Sequence, residues 1–193
     1  EKLIVCDLTG SMSPYAAQLS IWYQLHYKKE KNLQFVFFND GDAKADSDKK
    51  IGETGGIYYS PSKGIYELAN LMNKVAGAGS GGDCPENNME ALIKGHKMAA
   101  PYKELVMIVD NQAPVKDIAL LKNFNRPVHI ILCGYDNYVA EDYLLIAWKT
   151  KGSLHTIEQD ITNIASMSEG DEVIVKGIRY KIMGGAFIRI DKL

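Results

Sequence analysis

Val5-Cys6-Asp7-Leu8-Thr9-Gly10-Ser11-Met12 is an apolar strand running straight into a turn that offers a carboxylate and two hydroxyls at alternate positions. Oxygen-only ligands of this kind suit hard cations, which prefer carboxylates, hydroxyls and water to sulfur or imidazole. An acid at the end of a buried strand also needs a partner, because an unpaired charge in an apolar surrounding is costly. Two further acidic turns downstream extend the pattern: Gly81-Gly82-Asp83-Cys84-Pro85-Glu86 at the start of a helical stretch, and Asp110 closing the apolar run 105–109.

Around these turns, strand and helix patterns alternate in the way that predicts a parallel sheet with crossover helices. Strands are expected at 3–7, 33–38, 105–109, 128–133 and 154–156, with a β-prone stretch at 56–60. After Ser13-Pro14, which reads as an N-cap followed by proline in the first turn, Tyr15, Leu19, Trp22, Tyr23 and His26 recur at helical spacing. Further helices are expected at about 62–76, 85–99, 115–123, 140–148 and 158–165. The polar segment 39–50 reads as a solvated hairpin tip, since it lacks the order of acids and the closing Glu of a calcium loop. Beyond Ser168 the pattern shortens to 172–176, 179–183 and 186–190, separated by Lys176-Gly177 and Gly184-Gly185. This predicts a β-meander too small to stand alone. The expected fold is therefore α/β: a three-layer, doubly wound, mainly parallel Rossmann-like sheet over 1–167, with residues 168–193 forming a meander packed on the same domain.

In such a sheet ligands bind past the carboxyl ends of the strands. The strand order usual for this class makes the strands ending in Asp7 and Asp110 neighbours, and the loop with Asp83 opens onto the same rim. Each residue also has a plainer reading. Thr9 and Ser11 form turns readily, Asp83 with Glu86 fits a capping box, and Asp110 could cap the turn through Asn111 and Gln112.

Asp7-Leu8-Thr9-Gly10-Ser11 resembles the Asp-x-Ser-x-Ser signature of von Willebrand factor A domains, and Gly-Gly-Asp-x-Pro-Glu resembles a subgroup of that family. The resemblance covers 3 to about 165. It implies a metal-ion-dependent adhesion site in which Asp7, Thr9, Ser11, Asp83 and Asp110 surround a divalent cation, magnesium first, with manganese or calcium as alternatives. Asp83 departs from the Thr found in many members, so three carboxylates rather than two would offset the ion. The implied partner is a protein presenting Asp or Glu to the cation, without catalysis, and Tyr15, Tyr58, Tyr59, Tyr135 and Tyr138 are candidate contacts around the rim.

Asp7-Leu8-Thr9-Gly10-Ser11 also resembles the Asp-x-Thr-Gly-Thr of haloacid-dehalogenase-like phosphoryl-transfer enzymes, in which Asp7 would be the nucleophile. That family needs a late Gly-Asp-x-x-x-Asp pair, and Gly170-Asp171 lacks the second acid. The glycine-rich stretch 77–82 lacks the Walker Lys-Ser/Thr of a nucleotide site. A net charge of −2 with scattered lysines argues against a nucleic-acid partner. The apolar runs are too short to cross a bilayer. Three cysteines form neither a zinc set nor a Cys-x-x-Cys pair. Cys6 and Cys133 read as buried hydrophobes, Cys84 as an exposed loop thiol, and the four histidines as isolated structural or surface residues. The chain starts at Glu1 almost directly in a strand, as expected if an upstream segment such as a signal peptide precedes it. The resemblance leans toward export or the cell surface; the unpaired cysteines lean the other way.

Overall fold

The computed structural model describes residues 1–26, 32–61, 64–82, 84–134 and 138–190, without the side chains of Trp22 and His26. In chain order the main elements are β1 (Lys2–Asp7), α1 (Ser13–His26), β2 (Leu33–Phe38), β3 (Ile57–Pro61), α2 (Ile65–Ala78), α3 (Asn88–Met98), β4 (Glu104–Asp110), β5 (His129–Cys133), α4 (Glu141–Lys149), β6 (Ser153–His155) and β7 (Asp160–Ile161), followed by β8 (Glu172–Val175), β9 (Ile178–Met183) and β10 (Ala186–Ile190). The first seven strands form one sheet in the order β3-β2-β1-β4-β5-β6-β7. Strands β2, β1, β4, β5 and β6 run parallel, while β3 and β7 close the edges antiparallel.

Period-two alternation builds the layers. Leu3 and Val5 enter one buried cluster, with residues of α3 and α4, whereas Ile4 and Cys6 enter the other, with Leu19, Tyr23, Leu68 and Met72 of α1 and α2. Both faces of β1 and β2 are covered, which is why these strands read as unbroken apolar runs. The chain winds outward from β1 to β2 and β3, then returns to lay β4 on the other side. The switch point therefore falls between β1 and β4, and Asp7 and Asp110 end those two strands.

Several elements differ from the expectation. The helix expected from 62 begins at Ile65, with 62–63 outside the described residues, and the one expected from 85 begins at Asn88. The 115–123 stretch forms only a 3-10 turn at Ile118–Asn123. No α-helix forms at 158–165. The Thr156 hydroxyl accepts from the amides of Glu158 and Gln159, turning the chain so that Ile161 pairs with Leu154, and a 3-10 turn follows at Asn163–Ser166. Threonine and asparagine favour such local turns over helix. The segment 39–50 does connect an antiparallel pair, but its base is no solvated tip: Asn39 and Asp40 are entirely buried. Asn39 donates to the carbonyls of Val75 and Gly79, tying β2 to the end of α2.

Strands β8, β9 and β10 form a separate antiparallel sheet in that order. Its Val173, Val175, Tyr180, Ile182 and Phe187 belong to the same buried cluster as β4, β5 and α4. Phe187 meets Trp148 of α4 edge-on at 5.8 Å, and the Tyr180 hydroxyl both donates to the Val139 carbonyl and accepts from its amide. Removing a buried aromatic ring leaves a cavity as well as lost transfer energy. Phe187→Ala is expected to lower the unfolding free energy by about 3 kcal/mol or more while urea denaturation stays a single transition. A loss below about 1 kcal/mol, or a separate early transition, would show the meander to be a loosely attached appendage.

Candidate metal centre at the sheet switch point

Four loops meet at the carboxyl ends of β1, β2 and β4. Asp7 closes β1, and the amide of Thr9 turns back to donate to Asp7 Oδ1 at 2.7 Å. This places the Thr9 and Ser11 hydroxyl oxygens 3.3 Å apart, just ahead of α1. Gly10 donates its amide to the Ser80 carbonyl, which ties this loop to the glycine-rich one. From there the chain passes through Glu86, whose backbone forms a parallel bridge with Val115 and accepts from the Lys116 amide. Asp110 closes β4, with one oxygen accepting from the Gln112 amide at 3.0 Å, as a capping role would require. Its other oxygen, Oδ2, is buried without a partner.

Asp7, Thr9, Ser11 and Asp110 are thus gathered on one rim; Asp83 lies outside the described residues. Two acids beside them carried no site reading in the sequence. Glu86 fitted a capping box with Asp83, yet α3 starts two residues later and its Met89 and Glu90 amides are capped by Asp117 at 2.9 and 2.7 Å. Asp40 was hidden in a polar stretch. It is fully buried in a left-handed conformation (φ +57°) and takes Lys49 at 2.7 Å and Lys116 at 2.6 Å. The available signal for Asp40 was position: it stands two residues after the apolar run 35–38, much as Asp7 ends one.

Burial dominates the electrostatics. It lifts Asp7 to about 7, against the hydrogen bonds from Thr9 and with added repulsion from Asp110 and Asp40. Glu86 is pushed to about 9 by burial and then by the charges of Asp7 and Asp40, with Lys116 and Lys49 pulling the other way. Buried Tyr143 of α4 is raised by its own burial and by the fields of Asp7, Asp110 and Glu86. Asp40 takes both Lys49 and Lys116, and Lys49 also meets Asp46 at 2.9 Å, so Asp7, Glu86 and Asp110 have no ion-pair partner among the described residues. Orphaned buried oxygens on Asp40, Glu86 and Asp110 mark where compensation is missing. A divalent cation fits both the charge and the all-oxygen donor chemistry. Among the described residues, no three His, Cys, Asp or Glu side chains are close enough to hold an ion by themselves. The hydroxyls of Thr9 and Ser11, with water, belong to any such ligand set.

The tyrosines, histidines and cysteines singled out in the sequence are placed as follows. The hydroxyl of Tyr58 donates to Asp42, and that of Tyr59 to Gln34, which fits packing roles. Tyr15 borders a cleft with Ile131 and Ile157, Tyr138 lies beneath Arg189, and Tyr135 is outside the described residues. His129 and His155 flank the Ser153 hydroxyl at 2.7 Å each, and His155 also meets Asp160. His96 meets Tyr102. Cys6 is buried and Cys84 exposed, as expected, and Cys133 is partly exposed.

No protein-family model matches the chain, and no curated protein matches it in sequence. Solved structures similar to it include a von Willebrand factor type A protein from Catenulispora acidiphila, at 14% identity and a TM-score of 0.44, over 86% of this chain and 40% of that one. This chain therefore spans less than half the length of that structure.

The acids raised by burial hold protons in the folded state that they lose on unfolding. Their contribution is full below the unfolded values of 3.8 for Asp7 and 4.5 for Glu86, and is lost as pH rises through about 7 and about 9. In chelator, the melting temperature is therefore expected to fall steadily between about pH 5 and pH 8, and millimolar magnesium or manganese should flatten that slope. Thermal unfolding with and without metal measures this. A melting temperature that rises with pH in chelator would contradict it.

Proposed function

We propose that this domain is a metal-ion-dependent protein-binding module of the von Willebrand factor A type, without catalytic activity. The observation that carries the reading is the convergence of Asp7, Thr9, Ser11 and Asp110 at the switch point, with Asp110 Oδ2 buried and unpartnered. Asp7, Asp110 and the two hydroxyls would hold magnesium or a similar ion directly or through water; Asp83, the remaining ligand that the resemblance implies, lies outside the described residues.

An ion held in this way supplies an exchangeable coordination position. An acidic side chain from a partner protein can occupy it, at the rim where α1 begins and helix polarity favours negative charge. A cleft of about 440 Å³ between α1 and α2 opens beside Thr9 and Ser80 and is lined by Ala16, Ala17, Ala69 and Met72. It offers apolar surface to the partner residues that flank the acid.

The phosphoryl-transfer alternative finds no support in the lysines beneath the crevice, because Lys49 and Lys116 both engage Asp40 rather than a phosphate-facing position beside Asp7. Metal-dependent turnover of acetyl phosphate or p-nitrophenyl phosphate that disappears in Asp7→Asn would overturn the choice.

Selection of displayed random peptides in magnesium tests the adhesive reading. Enriched peptides are expected to share an Asp or Glu, to release in excess chelator, and to be ignored by a folded Asp7→Ala variant. Peptides bound equally well in chelator would sink it.

A further inference from the structure

Helices α1 and α2 lie on the same face of the sheet, each anchored by its own buried residues, Leu19 and Tyr23 on α1 and Leu68 and Val75 on α2. They meet where the Ser20 hydroxyl stands 3.5 Å from the Met72 sulfur. Toward the rim they part. The walls there are Ala16 and Ala17 on one helix and Ala69 and Ala76 on the other, a single methyl group each, and the cleft of about 440 Å³ stays open between them. Protein interiors are otherwise packed with few voids larger than a water molecule.

The chemistry of this cleft restricts what can enter it. Its floor is formed by the buried Leu8 and Met12, and no charged residue lines it among the described residues. A charged side chain would lose its hydration there without finding a partner, whereas an apolar one gains by leaving water.

The cleft is also continuous with the rim. Thr9, whose hydroxyl belongs to the proposed ligand set, lines it, as do Gly10 and Ser80, whose amide and carbonyl meet at 2.9 Å. That hydrogen bond fixes the mouth of the cleft to the loop carrying Thr9, so an acid bound at the ion and a side chain seated in the cleft would stand at a set separation. The cleft follows α1 from Ser13 to Ser20, about 10 Å of helix. In an extended segment alternate side chains share a face and stand about 7 Å apart. The residue two positions from the acid therefore reaches the cleft.

We infer that this cleft is the second half of the recognition site, and that the partner presents, two positions from its acid in an extended segment, a large apolar side chain such as Leu, Met, Phe or Trp that fills it. The inference rests on the metal-dependent reading above and adds to it the sequence pattern of the partner. The ion attracts any accessible acid; the cleft discriminates among them.

Peptides selected from a random display library in magnesium, then synthesised for binding measurements by fluorescence polarisation, provide the test. They are expected to share an acid with a large apolar residue two positions away, and replacing that residue by alanine should weaken binding to the wild type roughly tenfold or more, the scale of one buried apolar side chain. An Ala17→Leu/Ala76→Leu double variant narrows the cleft at two exposed helical positions that tolerate leucine. On it, the same alanine replacement should cost less than about threefold, because the side chain has lost its seat. Chelator-sensitive peptides sharing an acid but no apolar residue at that spacing, or an alanine peptide within about twofold of its parent on the wild type, would overturn the inference and leave the metal-dependent reading standing. Should the double variant fail to fold, the comparison on the wild type decides alone. A library yielding no metal-dependent binder would overturn both.

Discussion

Like charges gathered in a low-dielectric crevice govern this molecule. Asp7, Asp40, Glu86 and Asp110 converge where the sheet reverses its winding, and burial raises the cost of ionising Asp7, Asp40 and Glu86. Lys49, shared with Asp46, and Lys116 answer part of that charge through Asp40. The rest shapes the turns around it: the tight turn that aims the Thr9 amide at Asp7, the bridge that holds Glu86, and the turn at Gln112 that satisfies only one oxygen of Asp110. A hydrophobic fold tolerates such a cluster only where a counter-charge can be recruited, and the switch point is the place in this topology that is both rigid and open.

The scaffold supplies rigidity in layers. Each face of β1 enters a different buried cluster, so the strand ending in Asp7 is clamped from both sides. Asp142 of α4 accepts from the Val115 amide, and Asp117 caps α3, so the loop after β4 is bound to two helices before it bridges to Glu86. The meander packs on α4 through Phe187 and on the segment before it through Tyr180 and Val139, extending the same core. Preorganisation of this kind lets ligands from distant parts of the chain meet without ordering cost at the moment of binding.

Much of this was legible in the sequence, and what was not failed for identifiable reasons. Apolar runs ending in an acid revealed β1 and β4, and the ordinary winding of such sheets made Asp7 and Asp110 neighbours. The cap of α3 was obscured by a local rule: Asp83 and Glu86 satisfy the capping-box spacing, but the true cap is Asp117, remote in sequence and brought close only by tertiary structure. Asp40 was obscured by composition, since it begins a polar stretch whose later residues are exposed although it is itself buried. The helix expected at 158–165 failed because the Thr156 turn and the pairing of Ile161 with Leu154 draw the chain into a strand. In each case the sequence pattern was local and the deciding contact was not.

The central claim is that one doubly charged ion balances acids from separate loops at a single point. Crystals soaked in manganese, with diffraction recorded at the manganese absorption edge, test it most directly. The account predicts a single strong anomalous peak between Asp7 and Asp110, adjoining Thr9 and Ser11. Ordered carboxylates around that position with no anomalous peak at saturating manganese would contradict it.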